Sequence, residues 1–296
     1  MAVVPSQIDL VAAARLPRTR GAVATYIRRH PTVVIGGVLL GLMLSVAVFA
    51  PWLGTADPTA LAPAHRLRWP SAEYWFGSDM LGRDIYSRTI YGARVSLTVG
   101  LSVALLATAL GLCVGLVTGL NRWVDAIVMR VMDGLMSIPG VLIAIALMAL
   151  TRASMTNVIF AITVAEVPRV TRLVRSVVLT LRDQPFVEAA IASGTSQIRV
   201  MWRHIVPNTL ATLLVQGTYI CASAMITEAI LSFIGAGTPP TIPSWGNIMA
   251  EGRAVFLVAY YIVLFPGIFL SLTVLAINLL GDGLRDAIDP RLARRL

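Results

Sequence analysis

The chain has 296 residues, 57% of them hydrophobic and 13% charged, and its mean hydropathy is +0.79. Soluble domains carry about a quarter charged residues, so the composition excludes an ordinary soluble enzyme and points to a membrane protein. The net charge is +9 and all 24 basic residues are arginines. They lie between and beside apolar stretches, not on a basic face interleaved with aromatics. This excludes nucleic-acid binding and makes them topology determinants and headgroup anchors in a lipid bilayer.

In chain order, residues 1–32 read as a polar, arginine-bearing tail. Residues 33–53 read as a first, uncleaved transmembrane helix: the stretch is too long for a signal core, and Pro51-Trp52 at its end leaves no small-residue cleavage site. Residues 54–94 form a mixed extracytoplasmic segment with prolines and tryptophans. A transmembrane core over 95–281 holds further spans at 95–120, 124–150, 157–180, 209–235 and 258–281, interrupted by a polar loop at 182–208. Residues 282–296 form a short arginine-bearing tail. The fold class expected is therefore an all-α membrane protein with six transmembrane helices. Six spans put both termini on one side. That side and its adjoining helix ends carry 17 arginines against 7 on the other, so the termini are expected in the cytoplasm.

Gly111, Gly115 and Gly119 stand four apart in the second span, and Gly37 and Gly41 do so in the first. Both stripes are expected to admit a close helix neighbour. Cys113 and Cys221 lie in apolar spans and read as small packing residues.

The 182–208 loop has a local logic. Asp183 or Gln184 is placed to cap a helix starting at Pro185, which suits a first helical position. Ala189, Ala190, Ile191 and Ala192 keep that helix thin. Gly194 fits the left-handed position after a helix. Thr195 or Ser196 then caps a second helix bearing Ile198, Val200, Met201 and Trp202, which Pro207 is expected to end before the next span. Two short helices around a glycine turn make a compact cytoplasmic knob.

The Glu188-Ala189-Ala190…Gly194 pattern, closing in His204-Ile205-Val206-Pro207-Asn208, resembles the docking loop of ABC importer permeases of the binding-protein-dependent peptide class. Three other segments resemble the same family, as the second permease subunit of dipeptide and oligopeptide importers. One is Phe76-Gly77-Ser78-Asp79 with Gly82-Arg83-Asp84-Ile85 and Tyr91-Gly92-Ala93-Arg94. Another is Leu231-Ser232-Phe233-Ile234-Gly235 with Pro243-Ser244-Trp245-Gly246. The third is Asn278-Leu279-Leu280-Gly281-Asp282-Gly283-Leu284-Arg285-Asp286 with Asp289-Pro290-Arg291. Gly194-Thr195-Ser196 departs from the family's commoner Gly-Ala-Ser, and the Thr238-Pro239-Pro240 run is looser than usual. Nickel importers share the architecture and remain an alternative.

The resemblance implies the type I importer permease fold and a set of partners. These are a related second permease, two nucleotide-binding domains, fused or separate, and an extracytoplasmic substrate-binding protein, with a short peptide as substrate. It implies that Phe186, Glu188, Ala189, Ala190, Gly194, Ile198, His204, Pro207 and Asn208 form the element that couples to the ATPase. The chain is then a non-catalytic subunit. Without lysine it cannot build a Gly-x-x-x-x-Gly-Lys phosphate loop, so ATP and magnesium belong to the partner ATPase.

Several polar residues fall inside spans. Glu228, well away from either end of the fifth, is either a path-lining residue or subunit latch, or it holds a structural hydrogen bond with a neighbour such as Thr227. Glu166 and Arg169 are three apart and suit an internal ion pair. Arg169, Arg172 and Arg175 are expected to snorkel to headgroups, with pairing to the ATPase or to C-terminal acids as the alternative. Asp133 with Ser137-Ile138-Pro139 marks the third span as polar and kinked, as a path-facing helix would be. Arg83, Asp84 and Arg94 are candidates to brace the outer segment or meet a docked binding protein. His204 reads as a docking residue, since His30 and His65 offer no metal-ligand spacing. A secondary transporter or channel is the alternative of another class, but it gives the knob no task. An intramembrane enzyme lacks any motif: Gly111-Leu-Cys113-Val-Gly115 has no strand-turn-helix context and no base.

Overall fold

A computed structural model of the chain describes residues 31–288. The expectations for residues 1–30 and for Asp289-Pro290-Arg291 and the residues after it lie outside the described residues.

Ten α-helices occur among the described residues. Helix α1 spans Pro31–Val48 and α2 spans Ile85–Leu120. Helices α3, Arg122–Met136, and α4, Gly140–Ala149, follow. Helix α5 spans Met155–Arg182 and α6 Pro185–Ala192. Helix α7, Gln197–Val200, passes through a π turn at Met201–Ile205 into α8, Val206–Phe233. Helix α9 spans Trp245–Gly252 and α10 spans Tyr261–Ile288. Helices α1, α2, α10 and the continuous Gln197–Phe233 rod are long and apolar enough to cross a membrane. The α3–α4 pair would be a fifth span, bent by 88°. That bend falls at Ser137-Ile138-Pro139, the expected kink, and is sharp enough to break the helix: the proline cannot donate its missing N–H. Helix α5 has 28 residues, length enough to span, but its charges set it apart from the apolar rods.

The glycine stripe of α2 meets α5. A Cβ on Gly111 would stand 2.5 Å from Val170 Cβ, one on Gly115 2.6 Å from Val174 Cβ, and one on Gly119 2.5 Å from Val178 Cγ1. Three glycines four apart thus receive three valines four apart, and the two helices run parallel in close backbone contact. The expected stripe of α1 behaves otherwise, because Gly37 and Gly41 face open space. Its neighbour Gly36 makes the close approach instead, with a Cβ there 2.6 Å from Leu280 N of α10. Gly283 of α10 in turn abuts Val33. Helices α1 and α10 are therefore antiparallel, and the two ends of the described chain lie together.

The outer segment folds onto the N-terminus of α2, the start of α10 and α9. Phe76 stacks on Phe265 at 4.0 Å between ring centroids. Gly77 takes φ +81° beneath Tyr261, whose hydroxyl donates to Arg68 O at 2.9 Å and Ser78 O at 3.2 Å. Trp245 is fully buried, and its Nε1 donates to Thr89 O at 2.9 Å across Gly92. The motif residues singled out in sequence here act as packing and hydrogen-bonding parts of one brace.

Candidate functional site

The 182–208 loop forms the expected knob. Helix α6 starts at Pro185 and ends at Ala192, two residues before Gly194, which has φ +81°. The N–H groups of Gly194 and Thr195 donate to Ile191 O and Ala190 O, satisfying carbonyls at the helix end. Neither helix is capped by a side chain as expected. Gln184 and Ser196 occupy the cap positions without side-chain bonds. Gln184 instead turns its amide back to Thr180 O at 3.4 Å.

Pro207 also departs from expectation: it does not end the second helix. The chain continues as one rod because the π turn ahead of Pro207 moves the hydrogen-bond ladder by one residue, with Val206 N donating to Met201 O. The side chains of Asn208 and Thr209 donate to His204 O at 2.6 Å and Ile205 O at 2.9 Å. The helix thus absorbs a proline at the knob–membrane junction.

The knob is anchored by the buried Val187, Val200 and Ile205. Its outer face leaves Phe186, Glu188, Ala189, Ile191, Ile198 and Trp202 exposed, with Ile198 at 70% and Trp202 at 62%. Ala190 and His204 are half-buried. The His204 ring lies 6.2 Å from that of Phe186, while Pro207 and Asn208 are exposed at the junction. Large apolar groups set around a thin alanine helix form a face that water covers poorly and a protein partner covers well.

Helix α5 carries Arg169, Arg172 and Arg175 in its second half. They pair inside the chain. Arg169 Nη1 donates to Glu166 Oε2 at 3.2 Å, and Arg172 Nη2 to Asp133 Oδ1 at 2.5 Å. Arg175 engages both oxygens of Asp125, with Nη2–Oδ2 at 2.6 Å. Two of the three acids come from α3, so this ladder holds α3 against α5. Asp133 and Asp125 reach Arg172 and Arg175 from α3, whereas Glu166 reaches Arg169 from α5 itself. Glu228 is fully buried and accepts from Ser232 Oγ at 2.8 Å and Thr238 Oγ1 at 3.4 Å, leaving Oε2 without a partner among the described residues. Thr227 bonds Ser223 O instead. Because α8 ends at Phe233, Glu228 lies near its outer end, beneath the return loop, and not deep within the span.

In the outer segment, Asp84 caps α2, accepting from Ser87 N at 2.9 Å. Arg94 donates to Ala47 O at 2.5 Å and Val48 O at 2.8 Å, closing the carbonyl end of α1. Arg83 joins a cluster not foreseen from sequence. Arg88, 1% exposed, donates to Asp79 Oδ2 at 2.6 Å and Glu251 Oε2 at 2.6 Å, and Arg83 contacts the same two acids. Two arginines and two acids tie the loop, α2 and α9 together. A charged residue one turn inside α2, beside Asp79 and Asp84, was the available signal. On the membrane flank, α1, α2, α8 and α10 border an apolar cavity of about 560 Å³.

An all-helical bundle of long apolar rods with an exposed helix–turn–helix knob defines a polytopic membrane protein. Residues 107–294 match the family of binding-protein-dependent transport system inner membrane components, and residues 22–70 match the N-terminal transmembrane domain of oligopeptide transport permease C. The chain is 56% identical to a probable peptide ABC transporter permease protein of Sinorhizobium fredii, over 90% of this chain and 92% of that protein. It is 39% identical to a dipeptide transport system permease protein of Alkalihalophilus pseudofirmus and 43% identical to a glutathione transport system permease protein of Salmonella typhimurium. Each of these spans 90% of this chain and 88% of the relative. Among solved structures, the inward-facing MetNI methionine ABC transporter superposes with TM-score 0.54 at 20% identity, covering 69% of this chain and 98% of that one. This likeness establishes the type I permease fold. The chain belongs to the binding-protein-dependent transport system inner membrane component family and is a multi-pass permease subunit of the inner membrane.

Proposed function

We propose that this chain is one half of the membrane path of an ATP-driven importer of short peptides. The relatives named above carry peptide, dipeptide and glutathione transport in their names, which favours peptides over nickel. The chain itself performs no chemistry. ATP and magnesium sit on two nucleotide-binding domains, a second permease completes the path, and an extracytoplasmic binding protein delivers the substrate.

Six spans with both termini in the cytoplasm complete the reading, with α3–α4 and α5 counted as the third and fourth. The antiparallel contact of α1 with α10 and the arginine bias support it.

The observation that carries the proposal is the knob. Phe186, Glu188, Ala189, Ala190, Gly194 and Ile198 present a face to the ATPase, while His204, Pro207 and Asn208 join it to α8. Closure of the nucleotide-binding domains on ATP drives the path from outward to inward facing only if their contact with the knob differs in free energy between the two states. Asp133, Glu166 and Arg169 face the path, and Arg83, Asp84 and Arg94 brace the outer segment that receives the binding protein.

The test is peptide uptake and ATP hydrolysis by the complete complex in proteoliposomes, comparing wild type with Glu188→Arg and Gly194→Asp. Loss of uptake and of substrate-stimulated hydrolysis from an assembled complex is the expected result. Normal transport by both variants removes the knob from the coupling route and reopens the transporter or channel alternative.

A further inference from the structure

Arg169 is the fifteenth of the 28 residues of α5, about 20 Å from either end at 1.5 Å per residue. It therefore stands at the middle of α5, the fourth span of the proposed topology. Yet 48% of its side chain is exposed, as is half of Arg172 and 57% of Asp133. A charged group that keeps half of its surface open at this depth, even when paired, faces water or protein, because lipid does not accept an exposed charge. The strip formed by α5, α3 and the inner face of α8 thus belongs to the path or to a subunit contact.

The three arginines of the strip differ in what remains free. Arg175 spends two nitrogens on the two oxygens of Asp125 and is saturated as an ion pair. Arg169 spends only Nη1, on Glu166 Oε2 at 3.2 Å, and its Nε and Nη2 edge bonds nothing among the described residues. That edge is a two-donor fork matched to a carboxylate. The site around it is built. Glu166 is only 11% exposed, is held by Ser223 Oγ at 3.4 Å, and fixes one side of the guanidinium. The ring of Tyr219 lies 5.8 Å from Arg169 Cζ and supports its face. Pro168 precedes it and cannot donate to the carbonyl of Val164, which adds polarity to the same stretch.

We propose that Arg169, held by Glu166 and flanked by Tyr219 and Ser223, is a mid-membrane station that binds the terminal carboxylate of a peptide in transit. The proposal rests on the reading of the chain as a peptide permease. Glu166 gives the station its second property. As a fixed anion beside the guanidinium it competes with the peptide carboxylate, so binding is weak enough for release toward Arg172 and the cytoplasmic end. A path site must be both entered and left.

The experiment uses the complete complex in proteoliposomes with labelled trialanine and its C-terminal amide, each saturating the binding protein, whose affinity for both is measured separately. Three variants are compared with wild type: Arg169→Gln, Glu166→Gln, and the double variant, which avoids stranding Glu166 as an unpaired buried charge. Wild type takes up the free acid faster. Arg169→Gln and the double variant slow free-acid uptake roughly tenfold or more, the usual weight of a charge-assisted hydrogen bond, and bring the acid-to-amide ratio toward one. Glu166→Gln alone keeps the ratio well away from one, because the guanidinium that distinguishes acid from amide is still present, while its absolute free-acid rate shifts. A structural role for Arg169 would slow both peptides alike and leave the ratio intact. An unchanged ratio in both Arg169 variants, or equal uptake of the two peptides by wild type, overturns the proposal. Failure of the second permease to co-purify with the double variant also overturns it and assigns the strip to the subunit contact. A wild-type complex that imports neither peptide refutes the peptide reading itself, a result distinct from a preserved ratio.

Discussion

Replacing Arg88 with methionine removes the centre of the outer ion cluster while keeping much of its volume. Arg88 is 1% exposed and bonds Asp79 Oδ2 and Glu251 Oε2, each at 2.6 Å, with a further contact to Glu251 Oε1 at 3.2 Å. The variant leaves two carboxylates beside one arginine. Breaking a buried pair by removing one partner costs about 3–5 kcal/mol. Arg83 still donates to Asp79 from Nε at 2.6 Å and still reaches Glu251, so the lower end, about 3 kcal/mol, applies. Adding Glu251→Gln removes the stranded charge, so the double variant should recover at least about 1 kcal/mol relative to the sum of the singles. The assay is thermal dissociation of the complex in nanodiscs, followed by size-exclusion chromatography of heated samples, for wild type, the two singles and the double. A wild-type midpoint for Arg88→Met, or additivity within about 0.5 kcal/mol, refutes the cluster as an energetic unit.

Gly115→Leu should abolish assembly, because even its Cβ would meet Val174 Cβ at 2.6 Å, whereas Gly37→Leu should be tolerated in open space. Yield of intact complex for the two variants checks this, and equal yields would remove the glycine–valine seam from the account. Gly194→Ala meets no atom within 4 Å, so its penalty is conformational, about 1 kcal/mol for φ +81°. Transport should fall only partly, well short of the loss expected for Gly194→Asp at the docking face, and equal losses for the two would argue against that separation. Arg94→Met strips the carbonyls of Ala47 and Val48 of their donor, so limited proteolysis after α1 should quicken while the knob's cleavage rate stays at the wild-type value.

The helical spans, the break at Pro139 and the turn at Gly194 were legible in the sequence because each rests on local physics. Apolar runs of bilayer length, a missing N–H and a left-handed backbone position need no distant partner. The α2 glycine stripe was legible as a contact, yet the valines of α5 that fill it were not. The same pattern in α1 misled, since Gly36 and not Gly37 or Gly41 meets α10. Pro207 misled for a related reason: a π turn and the side chains of Asn208 and Thr209 carry the rod past it.

What the sequence by itself determined was the membrane class, the all-helical fold and the helix–glycine–helix pattern of the knob. Only the tertiary structure decided which charges neutralise one another. Arg88 finds Glu251 163 residues away, and Arg175 finds Asp125 fifty residues back on another helix. A buried ion takes whichever opposite charge the packing brings within reach, and packing between helices follows from shape along whole faces, not from the spacing of neighbours in the chain.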